Sequence, residues 1–314
     1  MSTNETGSNS ASSDASTSTA ALALSDEAKR NLVESKVACP FLGSAIAQGT
    51  LAVRNHPDNP LASIEQVREL GNSGGGDLGD LLVFFAGGNH AFMRGSPGKL
   101  DKPAPPGMFS LELPGSQGSH PGHSGILEGD SQTLGSGRFS QADFDRLTRR
   151  AKNGLIKRSE IGRFIAENLF HDPKSKVADK NVAGLLAQDV GAVLQSAGAA
   201  LRDRLTGLGS AQNAAASQRA AEQKLTKLLG EDNLVGSAGE FGLLFAFLAH
   251  KPDAQELDGE PTVSVKDLQS MFVDKRLPDG WQNWKKSRID WVTNTTALLV
   301  SAGKEYLALK RNKK

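Results

Sequence analysis

The stretch SKVACPFLGSAIAQG, residues 35–49, holds Cys39, the single cysteine of a 314-residue chain. Cys-Pro at the start of an apolar run reads as a helix start. Proline suits the first helical position, because its missing N–H would be unpaired there in any case. Cys39 then occupies the cap, where the exposed amides and the positive end of the helix dipole favour a thiolate. A thiolate in that place attacks an electrophile or ligates a soft metal such as haem iron. The third reading is a small, buried, inert thiol.

Working outward, the composition narrows the classes. There are 36 basic and 35 acidic residues, so no global basic field draws the chain to nucleic acid or an anionic membrane. One cysteine excludes an internal disulfide framework and is compatible with a reducing cytosol. The first 24 residues are rich in Ser, Thr, Asn and Ala, without a positive n-region or a full apolar h-region, and read as a disordered tail. No run approaches the length of a membrane span. The expectation is a soluble, cytoplasmic protein with no nucleic-acid partner and no membrane span.

Helix signals dominate. Ser25 caps SDEAKRNLVES, and Ser63 with Gln66 three residues on gives a capping-box pattern for ASIEQVREL. GDLGDLLVFFAGGNHAFM reads as an apolar helix weakened by Gly87 and Gly88. Residues 95–137 are dense in Pro, Gly and Ser and read as irregular. SQADFDRLTRRAK and SEIGRFIAENLF restore helical periodicity, followed by an alanine-rich stretch over residues 181–229. GEFGLLFAFLAH is apolar nearly all round and reads as a buried helix. SVKDLQSMFVDKRLP starts at the cap Ser264, and the chain closes on a helix with a cationic last turn. Strand signals are scarce. The predicted fold is all-α: a disordered tail over 1–24 and one helical domain over 25–314, with 175–230 as a possible helical insertion.

Other chemistry is thinner. None of His56, His90, His120, His123, His171 and His250 sits in a cysteine-hydrolase signature. His120 and His123 lack the further ligands that zinc requires. Glu128-Gly129-Asp130 offers hard oxygen ligands for Mg²⁺ or Ca²⁺ in an irregular loop. Phe84, Phe85 and Phe92 suit core packing or a pocket lining.

In their order, the motifs resemble the haem-thiolate peroxidases, the chloroperoxidase and unspecific peroxygenase family. ACPFLGSAIAQGTLAVRNHPDNPLASIEQV looks like that family's Cys-Pro helix, the turn after it and the next helix. GILEGDSQTLGSGRFSQADFDRL is similar to its acidic loop and the phenylalanine-containing stretch behind it. GEFGLLFAFLAHK and TVSVKDLQSMFVDKRLPDGW look like its glutamate-headed helix and its Arg-Leu-Pro segment with a following Trp. The resemblance runs from Cys39 to Trp281.

It implies a single multi-helix haem-binding domain of chloroperoxidase type and haem b ligated by Cys39, with Pro40 and Phe41 beside it. It implies that Glu128, Asp130 and the Gly129 carbonyl help hold Mg²⁺ beside a haem propionate. The acid–base glutamate maps onto Glu240, with Glu167 as the second candidate because Arg163 lies one turn before it on the same face. The implied activity is that of a peroxidase or peroxygenase using hydrogen peroxide on a small organic, apolar substrate. The alternatives are a non-catalytic haem-binding protein on the same fold and a helical interaction protein without haem. The chain departs from the family at Ala38, which replaces a proline, at Gln132 in place of a hydroxyl, and at Gly129 in place of a distal histidine. No arginine precedes Glu240 at the spacing of the long peroxygenases.

Overall fold

The structure, a computed structural model, describes residues 24–56, 59–92, 107–114, 125–128, 137–177 and 232–313. Residues 1–23, most of the possible insertion, the alanine-rich stretch, His120, His123, Gly129 and Asp130 lie outside the described residues.

Helices dominate the described residues, as expected. Helix α1 (Asp26–Lys36) starts at Ser25, whose Oγ accepts from the Ala28 amide at 3.2 Å. Helix α2 is Pro40–Ala47, with Cys39 as its cap residue. Helix α3 (Ile64–Asn72) is capped by Ser63, and α4 spans Gly79–Asn89. Helices α5 (Gln141–Thr148) and α6 (Arg158–His171) follow. Helix α7 is Asn233–Leu248, α8 is the short Val265–Leu268, and α9 is Arg288–Asn312. A π-turn, Gln269–Val273, continues α8.

An all-α chain is not what forms. Three small antiparallel sheets join the helices among the described residues. Strands β1 (Val53–His56), β2 (Asn59–Ser63), β3 (His90–Phe92) and β4 (Met108–Pro114) pair in the order β1-β2-β4-β3. Strands β5 (Leu127–Glu128) and β6 (Arg138–Phe139) form a second sheet. Strands β7 (Leu155–Lys157), β8 (Glu256–Leu257) and β9 (Glu260–Ser264) form the third. These strands are short and rarely alternate cleanly, so their pairing rests on tertiary context rather than on a period-2 signal. The expected helix through Met93 stops at Asn89, after Gly87 and Gly88, and the chain turns into β3. The expected irregular region likewise contains β4, an ordered seven-residue strand.

The core is built on α9, which lies against both α7 and α6. Close approach is possible because glycines face the partner helix. A Cβ on Gly242 of α7 would sit 2.0 Å from Thr295 Oγ1, and one on Gly162 of α6 would sit 1.9 Å from Ser301 Oγ. Trp291 of α9 is fully buried and donates its indole N–H to the Gly239 carbonyl at 3.0 Å. That bond fixes α7 one residue before Glu240. Two side-chain bonds set α2 against the chain's C-terminal third. Ser44 Oγ donates to the Met271 carbonyl at 3.0 Å, and Gln48 Oε1 accepts from the Leu277 amide at 3.0 Å. Among the described residues no helix is long and apolar enough to cross a membrane.

Candidate functional site

Cys39, Pro40 and Phe41 at the start of α2 line a cavity whose other walls come from distant parts of the chain. Leu82 and Phe85 of α4 form one side, and Gly125, Ile126 and Leu127 lead into β5. Glu240, Leu243, Leu244 and Phe247 come from α7, and Met271 and Phe272 from the π-turn. The positions 240, 243, 244 and 247 share one helical stripe, so α7 turns a single face to the cavity. The cavity has a volume of about 100 Å³. It is therefore a narrow apolar slot, below the roughly 300–1,000 Å³ range of ligand pockets.

Aromatic edges stiffen its floor. Phe41 meets Phe247 edge-on at 5.2 Å and Trp281 at 5.8 Å. Phe85 packs edge-on against the buried Trp291 at 6.2 Å, so it serves both core and cavity. Phe84 sits behind it, edge-on at 5.8 Å. Asn168 of α6 donates to the Gly125 carbonyl at 3.0 Å and ties the β5 approach to the helical core.

The electrostatics of Cys39 reverse one expectation. Burial pushes the thiol up to about 11, the Leu42 amide pulls it back, Glu240 raises it and the Phe41 amide lowers it. Desolvation outweighs the start of an eight-residue helix whose cap makes no full side-chain hydrogen bond. The bare thiol is protonated at neutral pH. The amides of Phe41 and Leu42 still lie close enough to favour negative charge on the sulfur. A metal bound there removes the proton outright. Glu240 acts electrostatically on that sulfur, so the two groups share one site although they stand far apart in the chain.

The other candidates separate. Glu128 lies on β5 beside the wall residue Leu127, its Cα paired with that of Arg138. Glu167 does not reach the cavity: it is hydrogen-bonded to Arg150 on the outer face of α6. Arg163 does not pair with Glu167 either; it donates to Glu160 at 2.7 Å. The i to i+3 neighbour captures the guanidinium instead of the i+4 one. Among the described residues no histidine lines the cavity, which leaves the nucleophile reading of Cys39 without a base. His250 faces Asp290 at 3.0 Å, away from the site. No three His, Cys, Asp or Glu residues converge among the described residues.

Lys286 is the wall residue that sequence reasoning missed. It is fully buried, and Nζ donates to Ser73 Oγ at 2.9 Å and to the carbonyls of Trp281 and Trp284 at 2.9 and 2.7 Å. The ammonium lies over the rings of Trp281 and Phe247, at 5.2 and 5.4 Å. Burial pushes its pKa down to about 8, so it stays charged at neutral pH. It binds the aromatic floor to the turn after α3. Nothing in the local string WQNWKKSR distinguishes it from its neighbour Lys285, because its acceptors are carbonyls brought in by the fold.

Comparisons with protein-family models, curated proteins and solved structures found no match to this chain.

Proposed function

We propose that the chain is a peroxide-dependent haem-thiolate oxidoreductase acting on small apolar organic molecules. The observation that supports this most is that Cys39 and Glu240 line one narrow apolar slot, in electrostatic contact with each other. The chemistry of the slot suits haem b on two counts: it holds the chain's single thiol, and its walls are apolar and aromatic.

Haem iron held by a thiolate supplies electron density that favours O–O cleavage. The chain's own residues do the rest. Cys39 gives the ligand, and the amides of Phe41 and Leu42 steady the charge on its sulfur. Leu82, Phe85, Leu244 and Phe247 exclude water and accept an apolar substrate. The Glu240 carboxylate would accept a proton from one oxygen of hydrogen peroxide and hold it for delivery to the other. Trp291 holds that carboxylate's helix in place through the Gly239 carbonyl.

The test is spectroscopic and then kinetic. Purified protein loaded with haem b shows, after reduction under CO, the red-shifted Soret band of a thiolate ligand, and Cys39→Ser loses it. An unchanged spectrum in Cys39→Ser would falsify the ligand assignment. A thiolate spectrum without peroxide turnover leaves a haem-binding protein that is not an enzyme.

A further inference from the structure

A second pocket adjoins the slot and shares Pro40, Leu127 and Phe272 with it. It too is charged: Arg138 of β6 and Lys275 line it, with Glu34 of α1 as the acid among its lining residues. Lys275 is held in an unusual way. Its backbone has φ 53°, the left-handed region that a lysine seldom adopts, where the chain leaves the π-turn. Such a conformation is strained for a side chain with a Cβ and points to a constraint at a site. The side chain is half-buried. One of its three donors goes to the Phe272 carbonyl at 2.8 Å, and its ammonium lies 5.4 Å from the Phe139 ring centre. Burial pushes its pKa down while Glu34 raises it. Among the described residues it makes no ion pair, which is unusual for a half-buried cation.

Arg138 presents a planar guanidinium suited to carboxylates, and one of its donors goes to the Gly137 carbonyl at 2.7 Å. Lys286, the cation inside the slot, cannot serve the same end, because its donors are spent on Ser73, Trp281 and Trp284. A flat ligand seated on Cys39 and reaching over Pro40, Leu127 and Phe272 would place its far edge between Lys275 and Arg138.

Resting on the haem reading above, we infer that Lys275 and Arg138 form the anion subsite for the propionate edge of the tetrapyrrole. The pair then does for the carboxylates what a divalent cation at Glu128–Asp130 was expected to do. Each charged contact contributes about tenfold in affinity.

The test titrates the purified full-length protein with ferric protoporphyrin IX and, separately, with its dimethyl ester, which keeps the ring and iron but has no carboxylates. Soret absorbance reads binding. The wild type binds the diacid at least tenfold more tightly than the ester. Lys275→Gly with Arg138→Ala abolishes that preference and leaves ester affinity unchanged. Lys275→Gly alone melts no lower than wild type, because glycine relieves the left-handed backbone, so lost affinity is not lost folding. A double variant that keeps the preference overturns the inference. So does a preference that EDTA abolishes in the wild type, since a divalent cation then holds the edge. Failure of the wild type to bind either ligand sinks the haem reading itself, and this inference with it. A preference lost in the double variant but indifferent to Cys39→Ser supports the subsite and removes only the thiolate ligand.

Discussion

Glu240 and Glu167 both sit on long helices, and their surroundings differ at every point. Glu167 belongs to a mixed-charge face of α6, where Arg150 reaches it and Arg163 is taken by Glu160. Each charge there has its counter-charge, and the pairs are partly exposed. Glu240 is the sole charged residue of α7, a helix otherwise made of apolar and small side chains, and it faces a slot that also holds a sulfur. A carboxylate within an ion-pair network is most simply read as surface stabilisation. Glu240 is the one charged residue on a helical stripe that lines a cavity, which is where a reactive carboxylate would have to stand.

Exchanging the amide for the acid at each site is the most direct way to break this contrast. In haem-loaded protein Glu240→Gln lowers peroxide turnover by about a hundredfold or more, the usual share of a general acid–base group. Glu167→Gln changes it less than twofold. Equal effects would erase the distinction.

The pH dependence of the thiol gives the next largest effect. The folded chain keeps the Cys39 proton to about 11, against 9.0 for an unperturbed thiol. Between those values the folded state binds more protons than the unfolded one, so stability falls as pH rises through that window. The loss is about 2–3 kcal/mol in all. Urea midpoints at pH 8 and pH 11 show it in wild type, and Cys39→Ala flattens the difference. Because Glu240 raises this pKa, Glu240→Gln moves the pH profile of thiol alkylation downward, whereas Glu167→Gln leaves it in place.

Trp291→Phe sharpens the comparison at one remove. It deletes the bond to the Gly239 carbonyl at a cost of about 1–2 kcal/mol, read by thermal melting, and loosens the helix that carries Glu240. The smallest effect is Arg163→Ala. Its pair with Glu160 is an exposed i,i+3 contact, so denaturant midpoints shift by only about 0.2–0.5 kcal/mol.

What could be read in advance was what depends on neighbours in sequence. Ser25, Ser63 and Ser264 cap where they were expected to, because a cap needs only its own oxygen and an amide two or three residues on. Pro40 opens α2 for the same local reason. Glu240 is singled out only by resemblance, as the head of a helix, whereas the helix begins at Asn233 and carries it in its middle. What escaped depends on distant partners. Strands β1 to β4 pair residues from three separated segments, and Lys286 is satisfied by Ser73 and by two tryptophan carbonyls. Cys39 shows the limit from the other side. Its local setting favours a thiolate, and the burial supplied by α4 and α7 reverses the sign. The pairing of Arg163 failed because two acids were within helical reach and spacing alone could not choose between them.

The walls of the slot are contributed by residues 39–41 at one end of the described chain and residues 240–286 toward the other. During synthesis the first part leaves the ribosome long before the second exists. A growing chain thus lacks the α7 and Lys286 walls of the slot until residue 286 has been made, and whatever occupies the completed slot enters after that point.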